Sequence, residues 1–244
     1  MHKERTSVIE SLSWDSDFFK HQIARLRLST LTDQQMRAAL AECKQRDIEC
    51  LYATLGNTRN NMKLAERESF TPVGTRVTYE RGGSPLRKPT KSQVTIKIAS
   101  KGNLTSLTSL SRSLSRESRF FRDPRFGPLA AQRLYRAWTE KVVRGASPTT
   151  KVLVASVGGR CAGFVAARAK EKIVHIELVI VDKKFRGKHI GSALMEACIN
   201  AYQKKGFRKF RVVTQGSNTA AQRLYQSCGF KLTAKALDYH KWFV

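Results

Sequence analysis

Two hydrophobic periods alternate along this chain. Near residues 94–98, 151–157, 162–170, 173–181 and 207–214 the residues alternate in polarity or are rich in β-branched types, which predicts strands. Between them apolar residues recur at helical spacing. Leu104, Leu107, Leu110 and Leu114 form one stripe over residues 103–116, and a second helix is expected over 129–143. A third is expected over 191–204, with Leu194, Ala197, Cys198, Ala201 and Tyr202 as its buried face. Gly158 and Gly159, between two strand runs, predict a tight hairpin. A short helix over 220–227 is expected to open at Asn218, a good N-cap residue, and to stop at Gly229.

The first third of the chain has the same alternation on a smaller scale. It reads as a strand over 23–28, a helix over 32–46 opened at Thr32-Asp33, a strand over 48–55, a helix opening at Asn57-Thr58 and ending near Phe70, and a strand over 75–80. Residues 81–92, with Arg81, Gly82, Gly83, Pro85 and Pro89, read as a basic linker. The predicted organisation is a smaller α/β domain over 1–80, that linker, and a larger α/β domain over 93–244. Leu51…Asn57-Thr58…Leu64…Phe70 also parallels Arg211…Asn218-Thr219…Leu224…Phe230 at nearly equal spacing. The smaller domain is therefore read as a degenerate copy of part of the larger one.

Charge changes the picture most. Lys and Arg number 45 against 19 Asp and Glu, a formal net charge of +26. Such a field attracts anionic partners and repels cationic ones. The basic residues are spread over the chain without a long run or a nucleic-acid motif, so nucleic acid is admitted but not favoured as a partner. Hydrophobic residues at 41% suit a folded domain. No apolar run approaches the roughly 18 residues a membrane span needs, and the segment from Met1 to Ser7 leads into no apolar core of a secretory signal. Cys43, Cys50, Cys161, Cys198 and Cys228 show no metal or disulfide spacing. They read as small hydrophobes in a reducing, cytoplasmic setting, with Cys228 partly exposed and no metal expected.

The candidate chemistry begins at Leu178. From there to Leu194 the chain runs from an apolar strand through a basic, glycine-containing turn into a helix. The unpaired N–H groups and positive dipole of a helix start suit a pyrophosphate, and Lys183, Lys184, Arg186 and Lys188 add full charges. The order Arg186, Gly187, Lys188, His189, Ile190, Gly191 closely resembles the acyl-CoA pyrophosphate loop of the GCN5-related N-acetyltransferases (GNATs), usually Arg/Gln-x-x-Gly-x-Gly/Ala. His189 stands at the middle glycine, so the backbone angle there is the open point of the match. Downstream, Asn218, Ala221, Leu224, Tyr225, Gly229 and Phe230 match the family's late signature, Asn-x-x-Ala-x-x-Leu-Tyr-x-x-x-Gly-Phe, at every element.

The resemblance implies a mixed, mostly antiparallel central sheet flanked by helices, preceded here by the smaller GNAT-like half. It implies acetyl-CoA as acyl donor, held by Val179, Ile180, Val181, Arg186, Gly187, Lys188, His189, Ile190, Gly191, Ser192 and Asn218. Tyr225 takes the family's tyrosine position at the thioester sulfur. For the base, Glu177, His175 and an ordered water chain stay open; another strand position used by some relatives is here the apolar Val213. Patches at 12–19, 118–124, 134–145 and 214–221 are similar to the TDP-fucosamine N-acetyltransferases, which implies a nucleotide-linked amino sugar as acceptor. Aminoacyl-tRNA and protein N-termini remain alternatives, and a homodimer is left open. Arg116, Arg119, Phe120 and Arg122, with Phe121, Arg125 and Phe126, are the expected acceptor loop in a cleft between the halves, the arginines on the diphosphate and the rings on the base.

Overall fold

A computed structural model of the chain describes residues 7–83, 94–113 and 118–243. Most of the expected 81–92 linker, Leu114 and Arg116 lie outside the described residues. The contacts divide the chain into two units that interleave in sequence. One comprises residues 1–76, 118–130 and 235–244; the other comprises 77–117 and 131–234.

In the first unit, β1 (Ile9–Ser11) pairs antiparallel with β2 (Ile23–Leu26), and β2 runs parallel to β3 (Cys50–Gly56). The other edge of β3 pairs antiparallel with β10 (Lys231–Trp242), in a register that opposes Tyr52 to His240 and Thr54 to Asp238. A parallel connection needs a crossover, here α2 (Asp33–Gln45). Its start is fixed by a capping box in which Thr32 and Gln35 bond each other's backbone N–H. α1 (Ser13–Phe19) and α3 (Arg59–Arg67) complete the layer. On one face Met36, Cys43, Leu51, Leu55, Leu64 and Tyr239 form a buried core. On the other, Tyr52 and His240 meet the short helix α5 (Arg119–Arg122) and Phe126. Strands β1 and β10 and helix α1 were not expected from the apolar periods. β1 is too short to show one, and in β10 the apolar phase moves from Leu232, Ala234 and Ala236 to Leu237 and Tyr239 half-way along.

The second unit contains the antiparallel run β5 (Thr95–Ile98), β6 (Thr150–Val157), β7 (Arg160–Lys170) and β8 (Ile173–Val181). Gly158 and Gly159 form the β6–β7 turn with φ of +54° and +75°, the twist-matching hairpin geometry. β8 then runs parallel to β9 (Lys209–Gln215). The connection is α7 (Ile190–Gln203), and α8 (Thr219–Ser227) follows β9. β4 (Thr71–Arg81) begins in the first unit and ends in this one, where Glu80 pairs with Arg211 of β9 at 2.6 Å. One face of the sheet packs on α7 and α8 through Leu194, Cys198, Ile199, Tyr202, Phe210 and Tyr225. The other packs on α4 (Leu104–Ser111) and α6 (Gly127–Arg144) through Leu107, Val142, Phe164, Leu178 and Ile180. The buried face of α7 is broader than the five-residue stripe expected, since Ile190, Ala193, Met195 and Ile199 are buried and Ala197 and Ala201 only partly so. All five cysteines are free, and Cys228 is buried, against the expected partial exposure.

Candidate active site

The site is set by a defect in one strand. The β7–β8 register steps from Ala167↔Ile176 to Ala166↔Leu178, leaving Glu177 as the extra residue of a bulge. One extra residue exchanges the two faces of a strand. Upstream, Val174 and Ile176 pack toward α7; downstream, Leu178 and Ile180 pack toward α4 and α6, while Val179 and Val181 turn toward α7. A regular strand alternation would put His175, Glu177, Val179 and Val181 on one face, and the bulge breaks that expectation by separating His175 from Val179 and Val181. The parallel ladder with β9 covers only Ile173↔Lys209 to Ile176↔Val212, so Val179, Ile180 and Val181 pair on the β7 side alone. Their outer backbone groups are available to an extended ligand.

Glu177 is largely buried, bonded to Arg168 at 3.3 Å through Oε1, while Oε2 has no hydrogen-bond partner. Burial raises its carboxyl above the usual glutamate range, against the opposing pull of Arg168 and Lys141. His175 is shifted down by burial, with the Arg211 and Lys170 charges adding to it. Both changes favour the neutral forms.

After β8 the Asp182 side chain turns back onto the Lys184 N–H at 2.9 Å and opens a single 3-10 turn, Lys183–Phe185. Arg186 Nε reaches Val181 O at 3.4 Å. Gly187 has φ +77°, and His189 has φ +57° and ψ +14°. The histidine thus takes the left-handed conformation a glycine would, and α7 starts on the next residue. That conformation costs a non-glycine residue roughly 1 kcal/mol or more. Asp182, the one acid between Val181 and Ser192, is occupied with its own turn, while Lys183, Lys184, Arg186, Lys188 and His189 are exposed. The N–H groups of Ile190, Gly191 and Ser192 lack intrahelical acceptors by position. Cationic rim, open N–H groups and left-handed turn together fit the diphosphate of an acyl-CoA.

The second motif packs directly on the first. A Cβ at Gly191 would come within 3.1 Å of the Leu224 side chain, so the glycine allows α7 and α8 to approach. Asn218 Oδ1 accepts the Ala221 N–H at 3.1 Å as the α8 N-cap, leaving its amide N–H groups for other partners. Gly229 has φ +77° and ends the helix. Tyr225 is 5% exposed, with Tyr79 and Phe230 at ring distances of 6.1 and 6.2 Å. Burial moves its phenol further above the ordinary value, so it holds its proton across the physiological range.

The expected acceptor loop lies in the first unit. Arg122 is exposed; Phe120 and Phe126 are buried in a ring cluster with Phe19 and Tyr52, and Arg119 lies over Tyr52. Sequence reasoning missed Asp123, His240 and Trp242, which join there. Asp123 Oδ2 accepts from His240 Nδ1 at 2.6 Å and Trp242 Nε1 at 3.0 Å. Positions 238, 240 and 242 share one face of β10, a strand not expected from the sequence, and nothing in the sequence pairs them with Asp123. Among the described residues no group of three or more His, Cys, Asp or Glu side chains is placed to hold a metal, and no helix is long and apolar enough to cross a membrane.

The fold and the strand–turn–helix site define an acetyltransferase of the GNAT class. The model of the "Acetyltransferase (GNAT) family" matches residues 112–230. Among individual proteins, it is 25% identical to the dTDP-fucosamine acetyltransferase of Escherichia coli O6:H1, over 93% of this chain and 95% of that one. It is 27% identical to the spore coat polysaccharide biosynthesis protein SpsD of Bacillus subtilis over 58% of this chain, an alignment spanning about half (48%) of that relative's length. Among solved structures, a GCN5-related N-acetyltransferase from Sphaerobacter thermophilus shares the fold with a TM-score of 0.63, at 15% identity, over 96% of this chain and 76% of that one.

Proposed function

We propose that this chain transfers the acetyl group of acetyl-CoA to the amino group of a nucleotide-linked amino sugar by direct attack. The observation that carries the acceptor class is the end-to-end similarity to a dTDP-fucosamine acetyltransferase. The charge of +26 supports it, because the field draws in a nucleotide diphosphate and repels polyamines or basic peptides.

Acetyl-CoA supplies an acyl group activated as a thioester. The 186–192 turn and helix start hold its diphosphate, and Val179, Ile180 and Val181 offer backbone groups to the pantetheine arm, with the Val179 N–H directed to the acyl carbonyl. Glu177 takes the proton from the acceptor ammonium, through Oε2 or one intervening water. Tyr225, kept protonated by burial, donates to the departing sulfur. No covalent enzyme intermediate is needed, so positioning and charge stabilisation carry the rate. Arg119 and Arg122 take the charged end of the acceptor, together with Arg116.

Free CoA release is to be measured against a panel of nucleotide-linked amino sugars, with aminoacyl-tRNA and peptide N-termini as competitors. Turnover on at least one nucleotide amino sugar is expected. Turnover confined to tRNA or peptides overturns the acceptor assignment and leaves the donor assignment standing.

A further inference from the structure

Polar atoms without partners gather on one face of β3 and β10. Tyr52 and His240 oppose each other across that pair, their rings stacked at 4.5 Å and 28°. They are 2% and 0% exposed, and neither the Tyr52 hydroxyl nor His240 Nε2 has a hydrogen-bond partner. Across from them Asp123 accepts three N–H groups: His240 Nδ1 and Trp242 Nε1 on Oδ2, and the Arg125 backbone on Oδ1 at 2.9 Å. An indole and an amide only donate, so the acid is ionised and the imidazole proton sits on Nδ1. The 118–126 segment is thereby tied to β10 from within the same unit.

Arg119 rides on this assembly. Its guanidinium carbon lies 4.4 Å from the Tyr52 ring centre and 4.9 Å from that of Phe120. It is half-buried, and its guanidinium makes no hydrogen bond or ion pair with any described residue, the Asp238 and Asp15 carboxylates acting on it only from a greater distance. The carboxylate of Asp238 is taken by Arg76, at 3.1 Å, and by Thr54, at 2.7 Å. A partly desolvated guanidinium with all its donors idle is a cost unless an anion joins it. Stacking on a ring fixes its plane, which suits the two-point grip of a phosphate.

We propose that Arg119 and Tyr52 form an anion site that takes a phosphate of a diphosphate-bearing ligand, with Asp123, His240 and Trp242 as positioning residues. The inference rests on the acceptor reading only for the ligand's identity, which there is the diphosphate of the nucleotide sugar. The Tyr52 hydroxyl donates to a phosphate oxygen, and the guanidinium supplies the charge. The 118–126 segment then serves to present one arginine at a fixed angle.

The test uses the full chain saturated with CoA, so that the 186–192 turn is filled, at roughly 0.15 M salt to screen exposed charges. Inorganic pyrophosphate is titrated in by calorimetry. Wild type is expected to bind one equivalent, Arg119→Met to weaken it about tenfold or more, and Tyr52→Phe severalfold. Lys97→Met, an exposed charge on β5, is expected to change nothing. Absence of binding to wild type, unchanged binding by Arg119→Met, or equal loss in Lys97→Met overturns the site. Loss in Arg119→Met without turnover of any nucleotide amino sugar supports the anion site and removes the acceptor reading. Turnover with an unchanged acceptor KM in Arg119→Met does the reverse.

Discussion

Tyr225 and Glu177 are polar groups that burial drives toward their neutral forms, one as a retained proton donor and the other as an acid reluctant to ionise. Tyr225→Phe removes a hydroxyl and little volume. It is expected to lower kcat by about 100-fold or more while leaving the KM for acetyl-CoA nearly unchanged. Glu177 makes a prediction in two directions. As the base it must be ionised, so kcat/KM falls as pH drops through its raised value, and Glu177→Gln is expected to abolish that limb along with most of the rate. For stability the sign is opposite. A carboxyl with a raised folded value favours the fold while protonated and loses that contribution as pH rises from the usual range, about 4.3, through the raised value. Glu177→Gln should therefore raise Tm at pH 7, and the gain should vanish near pH 4. A flat comparison of Tm across that range would remove the buried-carboxylate account.

The β8–turn–α7 element keeps its shape around an unfavourable residue. His189 holds φ +57° where glycine is easiest, and a β-branched residue fits that region worst. Introducing His189→Val is expected to cost about 1–2 kcal/mol in denaturant unfolding and to raise the KM for acetyl-CoA, whereas His189→Gly preserves both. Equal behaviour of the two variants would mean the left-handed turn does not form. The parallel seen in sequence between the two halves is a parallel of elements. β3, α3 and β4 follow the same plan as β9, α8 and β10, with helix caps at Thr58 and Asn218 and left-handed stops at Ser69 (φ +55°) and Gly229 (φ +77°). The first copy lacks a tyrosine at the position of Tyr225 and has no preceding basic turn.

At the scale of the whole molecule the excess of cations is the dominant quantity. If the acceptor is polyanionic, raising salt from about 0.05 to 0.3 M should increase its KM several-fold while kcat holds, because the field is screened within about 10 Å or less. A salt-insensitive KM would point to a neutral amine. The two units interleave, and residues 118–130, with the Arg- and Phe-rich loop, belong with the unit built mainly from the N-terminal third. No cut at residue 81–92 describes that grouping, because it depends on contacts between segments far apart in the chain.

Element types along most of the chain, the Gly158-Gly159 turn, the Gly229 helix stop and the basic strand–turn–helix at 178–194 were legible in the sequence, because each depends on a few neighbouring residues and their backbone preferences. The resemblance of the turn was visible even with His189 in it, since Arg186 and Gly191 hold two of the three positions the motif specifies. The Glu177 bulge, the pairing of Asp123 with His240 and the burial of Phe120 and Phe126 were not legible. Periodicity carries no sign of one inserted residue, and the same Arg- and Phe-rich loop pattern serves a solvated ligand loop or a plug equally well. Those choices are made by strand register and by which distant surface the loop covers, and only the tertiary structure decides them.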